Sequence, residues 1–368
     1  MKLTINQKVL TKALAAASRV APKNTTIPII SHVHFEAKSP NVVSIRATDL
    51  DIEITYLAEA KVEQGGALCV PAAQFRDIAN KLNDGADVKI EIDDQRLTIK
   101  SGRSRFHVAT LSAQDWPEIT SKETPHEFCI PSKDLATMIG KVSFAMSSEE
   151  TRYYLCGIYM HPVVDGHLRM VATDGHRLSR VDSALPDGAG GIPGVIIPRK
   201  TAGEVERLLK DAPTDVVIRL SQNFIRFELG ATVLSSKLID GTFPDYARVI
   251  PSNADKSAKI NSAALADAVA RVSTIQSDRG RAVRFEFEGS VLELLVQNPD
   301  MGDARDEITV EWLPEKFVVG FNSQYVQDSL AALNCEKVTM SIVDPGSPAI
   351  LTNERDPSML TVLMPMRV

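Results

Sequence analysis

Residues Val171–Arg180 read VATDGHRLSR, and residues Ile45–Ile54 read IRATDLDIEI. In both stretches an Ala-Thr-Asp tripeptide interrupts a run of alternating apolar and polar residues, the pattern of a β-strand with one buried face. Asp49 and Asp174 are typical turn residues, because a short carboxylate side chain can bind nearby backbone N–H groups. The chain therefore uses one strand–turn–strand unit at least twice.

Other features recur at nearly the same distance along the chain. Pro198 follows Pro71 by 127 residues, and each opens a helical pattern; Pro244 follows Pro117 by 127 residues, and each comes after an aromatic residue. A period this long is typical of domain duplication, since solenoid repeats span roughly 20 to 50 residues. With 368 residues, the chain has room for three copies of about 122 residues each.

Composition limits the class of protein. The sequence contains no apolar run of 18 residues and begins directly with a β-patterned segment, so we expect neither a membrane span nor a signal peptide. We therefore expect a soluble, cytoplasmic protein. The four cysteines form no CxxC pair, which favours reduced cysteines buried as small hydrophobic residues over a disulfide framework or a zinc site.

The charge balance is acidic, with 41 Lys and Arg residues against 47 Asp and Glu residues, a net charge of −6. This average argues against nucleic-acid binding unless the cations are gathered on one face. The segment from Gln7 to Ala21 shows such a separation: one side is apolar, and Lys8, Lys12 and Arg19 lie on the other.

The same separation is predicted in three further helices, which span about residues 71–82, 132–145 and 198–209. Each has an apolar stripe, and their outward cations are Arg76, Lys81, Lys133, Lys141, Arg199, Lys200, Arg207 and Lys210. Two more helices are predicted to begin at Asn261-Ser262 and Asn322-Ser323, with Arg271 as their main exposed cation. The chain is predicted to end in a β-patterned run, Leu360–Val368.

Six motifs, in order along the whole chain, carry a specific resemblance: MKLTINQ from Met1, SGRSRFHVATL from Ser101, RYYLCGI from Arg152, VATDGHRLS from Val171, GTFPDYARVIP from Gly241, and the terminal MPMRV. On these motifs the chain resembles the bacterial β sliding clamp family, the processivity subunit of DNA polymerase III.

The resemblance implies an α+β fold of three similar clamp domains, residues 1–120, 127–248 and 257–368, each with two helices packed on antiparallel sheets. It also implies a head-to-tail homodimer, in which each chain is half of a two-chain ring around duplex DNA. Twelve helices at interaxial spacings of ~9 Å trace a circle roughly 34 Å across, and subtracting a helix radius of about 5 Å on each side leaves about 24 Å. A DNA duplex can pass through such a hole.

The resemblance assigns a set of DNA-facing residues: Lys8, Lys12, Arg19, Lys23, Asn24, Arg76, Lys81, Lys133, Lys141, Tyr153, Tyr154, Arg199, Lys200, Arg207 and Lys210. Such cations contact phosphates without reading bases. The alternative for any single cation is an ordinary solvated helix face, and for the two tyrosines a buried aromatic pair. Asn24 replaces a frequent Arg of the family, and Glu149 stands where Gln is common.

The resemblance also implies a pocket that binds a short apolar peptide of each partner. The matching positions are Leu155, Thr173, Gly175, His176, Arg177, Leu178, Pro244, Arg248, Val249, Val362, Met364, Pro365, Met366 and Arg367. Methionines can repack around different ligands, and arginines can hold peptide backbone or a terminal carboxylate. The implied partners are the DNA polymerase III catalytic subunit, the clamp loader, and translesion and repair proteins with clamp-binding peptides. Taken alone, the terminal Met-Pro-Met is typical of an edge strand.

For the dimer interface the resemblance implies Phe106, a family interface aromatic, and the pair Thr274-Ile275, where the family often has two large aliphatic residues. Thr274 is a departure that predicts weaker closure of the ring.

Two other functions are weighed against the clamp. His176 near Asp174 could belong to a hydrolase, and the chain could be a monomeric adaptor. The sequence contains neither a GxSxG nucleophile motif nor a GxxxxGK[ST] phosphate loop, and its histidines lack metal-ligand spacing. Asp49 holds the equivalent turn position without a following histidine, which indicates a turn-forming aspartate in both copies. We therefore expect no enzyme activity, cofactor or metal.

Overall fold

A computed structural model of the protein shows helices and antiparallel strands in alternation along the described chain. The structure describes residues 1–38, 41–93, 96–117, 123–210, 212, 214–277, 281–312 and 314–368. These divide into two compact units, residues 1–132 with 211–237, and residues 133–210 with 238–368. The domain boundary predicted at residue 120 lies outside the described residues.

Two α-helices come from each of the three sequence repeats. They are α1 (Gln7–Val20), α2 (Ala72–Lys81), α3 (Ser132–Val142), α4 (Arg199–Leu209), α5 (Ser262–Val272) and α6 (Ser323–Leu333). All six predicted helices are therefore confirmed, and the fold is α+β with three domains of helices and antiparallel sheets, as predicted. Among the described residues, no helix combines the length and apolar content needed to cross a bilayer.

Residues that can cap a helix mark where these helices begin. The side-chain oxygens of Asn6, Asn261 and Asn322 accept backbone N–H groups in the first turns of α1, α5 and α6. These bonds satisfy donors that the helix itself cannot pair. Pro71 and Pro198 stand immediately before α2 and α4, where the absence of an N–H group costs nothing.

Two antiparallel sheets make up the first unit. One has the order β5-β1-β7-β8-β9, with strands β1 (Lys2–Asn6), β5 (Lys61–Gln64), β7 (Asp87–Asp93), β8 (Arg96–Ser101) and β9 (Ser104–Ala109). The other has the order β10-β15-β16-β17-β4-β3-β2-β6, with strands β2 (His32–Lys38), β3 (Val42–Thr48), β4 (Ile52–Glu59), β6 (Gly66–Pro71), β10 (His126–Pro131), β15 (Asp215–Leu220), β16 (Phe224–Leu229) and β17 (Thr232–Lys237).

A twelve-stranded sheet forms the second unit, in the order β14-β11-β12-β13-β25-β24-β23-β18-β21-β20-β19-β22. Its strands are β11 (Gly157–Val163), β12 (His167–Thr173), β13 (Arg177–Ala184), β14 (Val195–Pro198), β18 (Lys256–Asn261), β19 (Ala282–Glu288), β20 (Val291–Asn298), β21 (Gly302–Glu311), β22 (Phe317–Asn322), β23 (Lys337–Ile342), β24 (Ala349–Asn353) and β25 (Asp356–Leu363). In the second unit β13 pairs with β25, and in the first unit β4 pairs with β17. Strands from consecutive sequence repeats therefore share one sheet. For this reason the bounds of the compact units differ from those of the repeats.

The two Ala-Thr-Asp turns have the same hydrogen bonds. Oδ1 of Asp49 accepts the N–H groups of Asp51 and Ile52 at 3.0 and 2.9 Å. Oδ1 of Asp174 accepts those of His176 and Arg177 at 2.9 and 3.0 Å. Both turns link antiparallel neighbours, β3 with β4 and β12 with β13, so the prediction of a turn-forming aspartate in both copies is confirmed.

The residue after each turn aspartate has a left-handed backbone. Its φ is +87° at Gly175 and +79° at Leu50. Glycine adopts this conformation without strain, whereas a leucine there costs about 1–2 kcal/mol. The turn geometry is thus kept in the first copy at an energetic cost.

Two details of the sequence predictions were wrong. Cys69 is buried, and burial raises the pKa of its thiol to about 12, but Cys129 is exposed and Cys156 and Cys335 are half-buried, so burial describes one of the four. The final strand, β25, ends at Leu363 rather than continuing to the terminus, because Pro365 offers no N–H group for a ladder.

Replacement of the turn carboxylate should destabilise the first unit. Asp49→Ala removes two hydrogen bonds to backbone N–H groups, and we expect it to lower the free energy of unfolding by about 1–2 kcal/mol. Urea denaturation measures this loss. The neighbouring Asp51 is the matched control, because its carboxylate contacts the exposed Lys237 at 2.9 Å and Asp51→Ala removes only that surface pair. Equal effects of the two substitutions would contradict a structural role for Asp49.

Candidate functional site

The outward face of α1 is wholly cationic. The residues of this helix that are exposed are Lys8, Lys12 and Arg19, while its apolar stripe is buried. Lys8 makes a surface ion pair with Asp84 at 3.0 Å, and Arg19 donates to the carbonyl of Ala15 at 3.1 Å. An exposed ion pair of this kind leaves most of the lysine accessible to another anion.

The other predicted helix cations are mostly exposed as well. Lys81, Lys133, Arg199, Lys200, Arg207 and Lys210 are exposed, and Arg76 is half-buried. Acidic side chains moderate two of them: Arg76 pairs with Asp77, and Arg207 pairs with the buried Glu204, each at 2.7 Å. These helix faces are therefore positive, but less so than the count of cations alone indicates.

Lys141 does not behave as predicted. Its side chain is 18% exposed, and its Nζ lies 2.5 Å from Oδ2 of Asp356 at the start of β25. This contact holds the pKa of the Asp356 carboxyl below its usual range, together with the hydroxyl of Ser358. The prediction of an outward cation was wrong, because a carboxylate 215 residues away in the chain takes up the ammonium group.

The remaining predicted DNA-facing residues lie in two connecting segments. Lys23 and Asn24 are exposed in the segment after α1. Tyr153 is 53% exposed, and its ring meets that of the half-buried Tyr154 edge to face at 5.6 Å. The alternative of a buried aromatic pair is therefore wrong for Tyr153.

Glu149 belongs to a local cluster in the same segment as these tyrosines. Its carboxylate accepts from the Thr151 hydroxyl at 2.8 Å and pairs with the Arg152 guanidinium at 2.5 Å. These contacts, the Thr151 hydroxyl first, hold the pKa of Glu149 below its usual range. Arg152 in turn lies against the backbone of Gly175, where an added Cβ would be 2.6 Å from its Nη1.

Several predicted pocket residues come together in the second unit. Leu155, Leu178 and Val362 are buried in one apolar cluster with Val171, Ile196, Phe243 and Leu360. Leu178 and Val362 are direct partners across β13 and β25, so the sheet itself fixes their spacing. Tyr154 and Tyr246 pack against this cluster from its partly exposed side.

The C-terminal residues 364–368 form a tail that two backbone hydrogen bonds hold. The N–H of Met364 donates to the carbonyl of His176 at 2.9 Å, and the N–H of Met366 donates to that of Gly320 at 2.8 Å. Met364 and Met366 are 37% and 38% exposed. The tail is therefore a short extended segment rather than the edge strand considered above.

A cavity of about 190 Å³ lies between this tail, the turn and α6. It is lined by His176, Asn322, Tyr325, Met364, Pro365 and Met366. The imidazole of His176 stacks on the ring of Tyr325 with centroids 6.5 Å apart. A second, more open cavity of about 670 Å³ shares Pro365 and Met366, and Arg367 and Val368 line it together with residues of β22. Apolar walls with a few polar groups are typical of a peptide-binding cleft.

Arg177 is used inside the protein rather than presented to a ligand. Its guanidinium contacts Asp174 at 3.1 Å and Asp328 at 2.5 Å, and it donates to the carbonyl of Phe144 at 2.6 Å. The guanidinium carbon also lies 4.4 Å from the centre of the Tyr325 ring. The side chain is 12% exposed, and the contact of Arg177 with a peptide backbone or carboxylate stays a prediction.

A second predicted arginine of the pocket, Arg248, is highly exposed. It lies with Val249 on a short 3-10 helix, Tyr246–Val249, and pairs with Asp245 at 2.8 Å. Pro244, Arg248 and Val249 are all exposed.

Thr173, another predicted pocket residue, stabilises the turn. Its hydroxyl donates to the carbonyl of Arg177 at 2.6 Å and accepts the N–H of Gly175 at 3.1 Å.

Asn322, Tyr325 and Phe243 also line or support these cavities, and the sequence alone does not single them out as site residues. Asn322 caps α6, and Tyr325 stands one position from the buried stripe of that helix. Phe243 is the aromatic residue before Pro244 in the repeated pattern, but that pattern does not predict its place in the apolar cluster. Nothing local in the sequence distinguishes Tyr325 from an ordinary half-buried helix residue.

The residues predicted for the dimer interface lie beside strand edges. Phe106 is half-buried on β9, which pairs only with β8 among the described strands. Thr274 and Ile275 lie on the short 3-10 helix Ser273–Ile275, and Asn298 at the end of β20 donates to the carbonyl of Ile275 at 2.9 Å. The hydroxyl of Thr274 donates to the carbonyl of Arg271 at 2.8 Å.

Comparison with known proteins agrees with this architecture. Models of the bacterial DNA polymerase III beta subunit match the chain in three consecutive parts: the N-terminal domain over residues 1–120, the central domain over 129–245 and the C-terminal domain over 247–367.

Relatives match over their full length. The beta sliding clamps of Caulobacter vibrioides and Escherichia coli K12 are 41% and 33% identical to this chain, and both alignments cover 100% of each protein. A crystal structure of the DnaN sliding clamp of Bartonella birtlesii, bound to griselimycin, is 42% identical, has a TM-score of 0.98 and covers 100% of both chains. The chain thus belongs to the β sliding clamp family, the non-catalytic β subunits of bacterial DNA polymerase III.

Proposed function

We propose that this protein is a DNA sliding clamp, a homodimeric ring that encircles duplex DNA and tethers polymerases and other partners. Membership of the family and the match over the full length of its relatives support the proposal. The observation that carries it from the chain itself is the face of α1, where every exposed residue is a cation although the protein has a net charge of −6.

The cationic helix faces suit non-specific contact with phosphates. Lysine and arginine side chains attract the DNA backbone without reading the sequence, and such contacts weaken as salt increases. Neighbouring acids such as Asp84 and Asp77 limit the attraction. Contacts that are weak one by one allow the ring to slide, while closure of the ring prevents its loss. The protein acts on chromosomal DNA and therefore in the bacterial cytoplasm.

The DNA-facing residues that we propose are the exposed members of the predicted set together with the half-buried Arg76 and Tyr154. They are Lys8, Lys12, Arg19, Lys23, Asn24, Arg76, Lys81, Lys133, Tyr153, Tyr154, Arg199, Lys200, Arg207 and Lys210. We leave out Lys141, because its ammonium group is already paired with Asp356.

The cavities beside the C-terminal tail suit an apolar peptide. Met364 and Met366 offer flexible thioether side chains, and the backbone that carries them is held at only two points. Leu155, Leu178 and Val362 provide a fixed apolar floor nearby. The proposed occupants are peptides of the DNA polymerase III catalytic subunit, the clamp loader, and translesion and repair proteins. Arg248 remains available to a peptide carboxylate, whereas Arg177 shapes the site from behind.

Two open strand edges support closure of the ring by a second copy. β9 has one neighbour, and residues 302–309 of β21 pair only with β20, in the part of the chain that the structure describes. Arg103 and Arg105 are exposed at β9, and Asp303 and Glu307 are exposed on β21. Unpaired edges bind other strands, and opposite charges favour the pairing of β9 with β21 of another copy.

Removal of the α1 cations should weaken salt-dependent binding to DNA. For the triple variant Lys8→Ala, Lys12→Ala and Arg19→Ala, we expect the slope of log affinity against log salt to fall by at most about 2.7, since each phosphate contact contributes roughly 0.9. Fluorescence anisotropy with a linear duplex measures the slope. Lys38, Lys61 and Lys89 are exposed strand lysines of the same unit, and their replacement by alanine should leave the slope nearly unchanged.

A ring should remain on closed DNA for topological reasons. The wild-type protein, loaded by its clamp loader on a nicked circular plasmid, is expected to stay bound at high salt and to leave once the circle is cut. Gel filtration of the complexes separates the two states. Equal retention on circular and linear DNA would indicate a monomeric adaptor instead.

Displacement of the tail should abolish capture of partners. Deletion of Met364–Val368 removes the tail, and Gly320→Ala places a Cβ 2.6 Å from the carbonyl oxygen of Met366, which must shift. We expect the deletion to abolish binding of a polymerase-tail peptide and Gly320→Ala to weaken it at least several-fold. Gly191→Ala is the control, because no described atom apart from its chain neighbours lies within 4 Å of its added Cβ and Gly191 lines neither cavity. Isothermal titration calorimetry measures the affinities; unchanged binding by the deletion variant would exclude the pocket.

The dimer should respond in opposite directions to two substitutions. Phe106→Ala removes apolar area at an open edge and should weaken dimerisation, whereas Thr274→Leu adds apolar area and should strengthen it, each by about 1 kcal/mol or roughly fivefold. Sedimentation equilibrium at micromolar concentration measures both. A wild-type protein that stays monomeric there would contradict the ring.

A further inference from the structure

A polar cluster lies behind the 3-10 helix Tyr246–Val249, on the face formed by β11, β12 and β13. The hydroxyl of Tyr246 lies 2.9 Å from Nε2 of His161 and 3.4 Å from Nη1 of Arg169. Tyr246, His161 and Arg169 are all half-buried. The tyrosine thus connects an otherwise exposed segment, which presents Arg248 and Val249, to the sheet.

The partners of His161 define its protonation state. Its Nδ1 lies 3.0 Å from the carbonyl oxygen of Pro162, so Nδ1 carries the proton and donates. In the neutral imidazole Nε2 is then an acceptor and accepts a hydrogen bond from the Tyr246 hydroxyl. The tyrosine oxygen accepts in its turn from the Arg169 guanidinium. Every group has a partner only while the imidazole is neutral.

Strand pairing holds the base of this cluster rigidly. Arg169 and Asp182 are direct partners across β12 and β13, and two hydrogen bonds of 2.6 and 2.8 Å join the guanidinium to the carboxylate. Both side chains are about 15% exposed, and Nη2 of Arg180 lies 3.9 Å from the same carboxylate. Hydrogen bonds between charged groups are stronger than neutral ones, so this pair provides a fixed anchor.

Aromatic contacts extend the anchor towards the apolar cluster of the pocket. The ring of Tyr159 stacks on Phe243 at 4.9 Å and on His161 at 4.7 Å. Gly194 approaches the Tyr159 hydroxyl so closely that an added Cβ would lie 2.4 Å away. Phe243 and Tyr246 therefore rest on groups whose positions are fixed from both sides.

The backbone of the segment itself provides little support. The N–H of Arg248 donates to Asp245 and that of Ile250 to Ala247, both at a long 3.4 Å. Contacts of this length contribute weakly, so the Tyr246 side chain is the principal polar tether of the segment.

We propose that Tyr246 and His161 are positioning residues of the peptide pocket, because their hydrogen bond fixes the wall that Arg248 and Val249 form. The inference rests on the proposed function of the pocket. A partner peptide needs this wall in place. Protonation of His161 turns Nε2 into a donor, and it then faces a hydroxyl oxygen that already accepts from Arg169. The wall is thereby released, and binding of the peptide weakens.

The direction of the pH dependence follows from the surroundings of the imidazole. Burial, the largest influence, and the positive Arg169 lower the pKa of His161 below its usual value, while Pro162 and Asp182 oppose them. Arg180, Tyr159 and Tyr246 are the other titratable groups around this cluster. The competent neutral form therefore predominates at neutral pH and is lost as the pH falls through the lowered pKa.

The test uses the full-length protein and a fluorescent synthetic peptide with the C-terminal tail sequence of the DNA polymerase III catalytic subunit. For Tyr246→Phe we expect three- to tenfold weaker binding at neutral pH, about the loss of one hydrogen bond, and an affinity that no longer changes between about pH 7.5 and about pH 5.0. The wild-type affinity should fall over that range.

A second variant keeps the hydrogen bond but cannot titrate. In His161→Gln the amide oxygen can accept the tyrosine proton, so we expect wild-type affinity at neutral pH with a flat profile. His167→Gln is the control, because His167 pairs with Asp165 and does not line either cavity, and it should retain the wild-type affinity and pH dependence. Wild-type affinity and pH profile in Tyr246→Phe would overturn the inference, whereas failure of the wild-type protein to bind the peptide at all would overturn the proposed function instead.

Discussion

The carboxylate of Asp174 is the constraint on which the rest of the pocket depends. One oxygen accepts the backbone N–H groups of His176 and Arg177, and the other contacts the guanidinium of Arg177. The turn is thereby closed so that the carbonyl of His176 points at the N–H of Met364, while Arg177 reaches Asp328 on α6. The tail and α6 therefore meet the same short turn. The turn at Asp49 has the same backbone bonds, so the two copies share the turn geometry and differ in what surrounds it.

Sliding requires that attraction to DNA be moderate, and the helix faces that we propose to contact DNA carry cations that are partly paired with acids. Arg76 and Arg207 are each paired with a carboxylate on their own helix, and Lys8 with Asp84. An ion pair at the surface can be exchanged for a phosphate at small cost, because both partners remain in water. In the proposed DNA contact such cations attract the duplex without fixing the register of the protein on it. Topological closure, rather than affinity, has to supply the long lifetime on DNA.

The features that the sequence predicted correctly are those that depend on interactions between residues close together in the chain. Capping asparagines and apolar periodicity located the six helices, and the Asp carboxylates located the turns, since these interactions span only a few residues. The internal ion pairs of Lys141 and Arg177 could not be predicted, because their partners, Asp356 and Asp328, lie 215 and 151 residues away. No local pattern reveals such pairs. The prediction that Cys129 is buried was wrong for a related reason. The general preference of cysteine for burial does not indicate which face of β10 is covered.

Assembly from distant segments also explains how one cleft can serve several partners. Its floor is a sheet, in which Leu178 and Val362 are held by continuous ladders. Its walls are a turn, a five-residue tail with two backbone hydrogen bonds, and a short helix tethered by Tyr246. A rigid floor keeps the apolar anchor points constant, whereas lightly held walls with methionine side chains adjust to different peptides. Affinity in such a site comes from the shared floor, and differences between partners come from how far each must rearrange the walls.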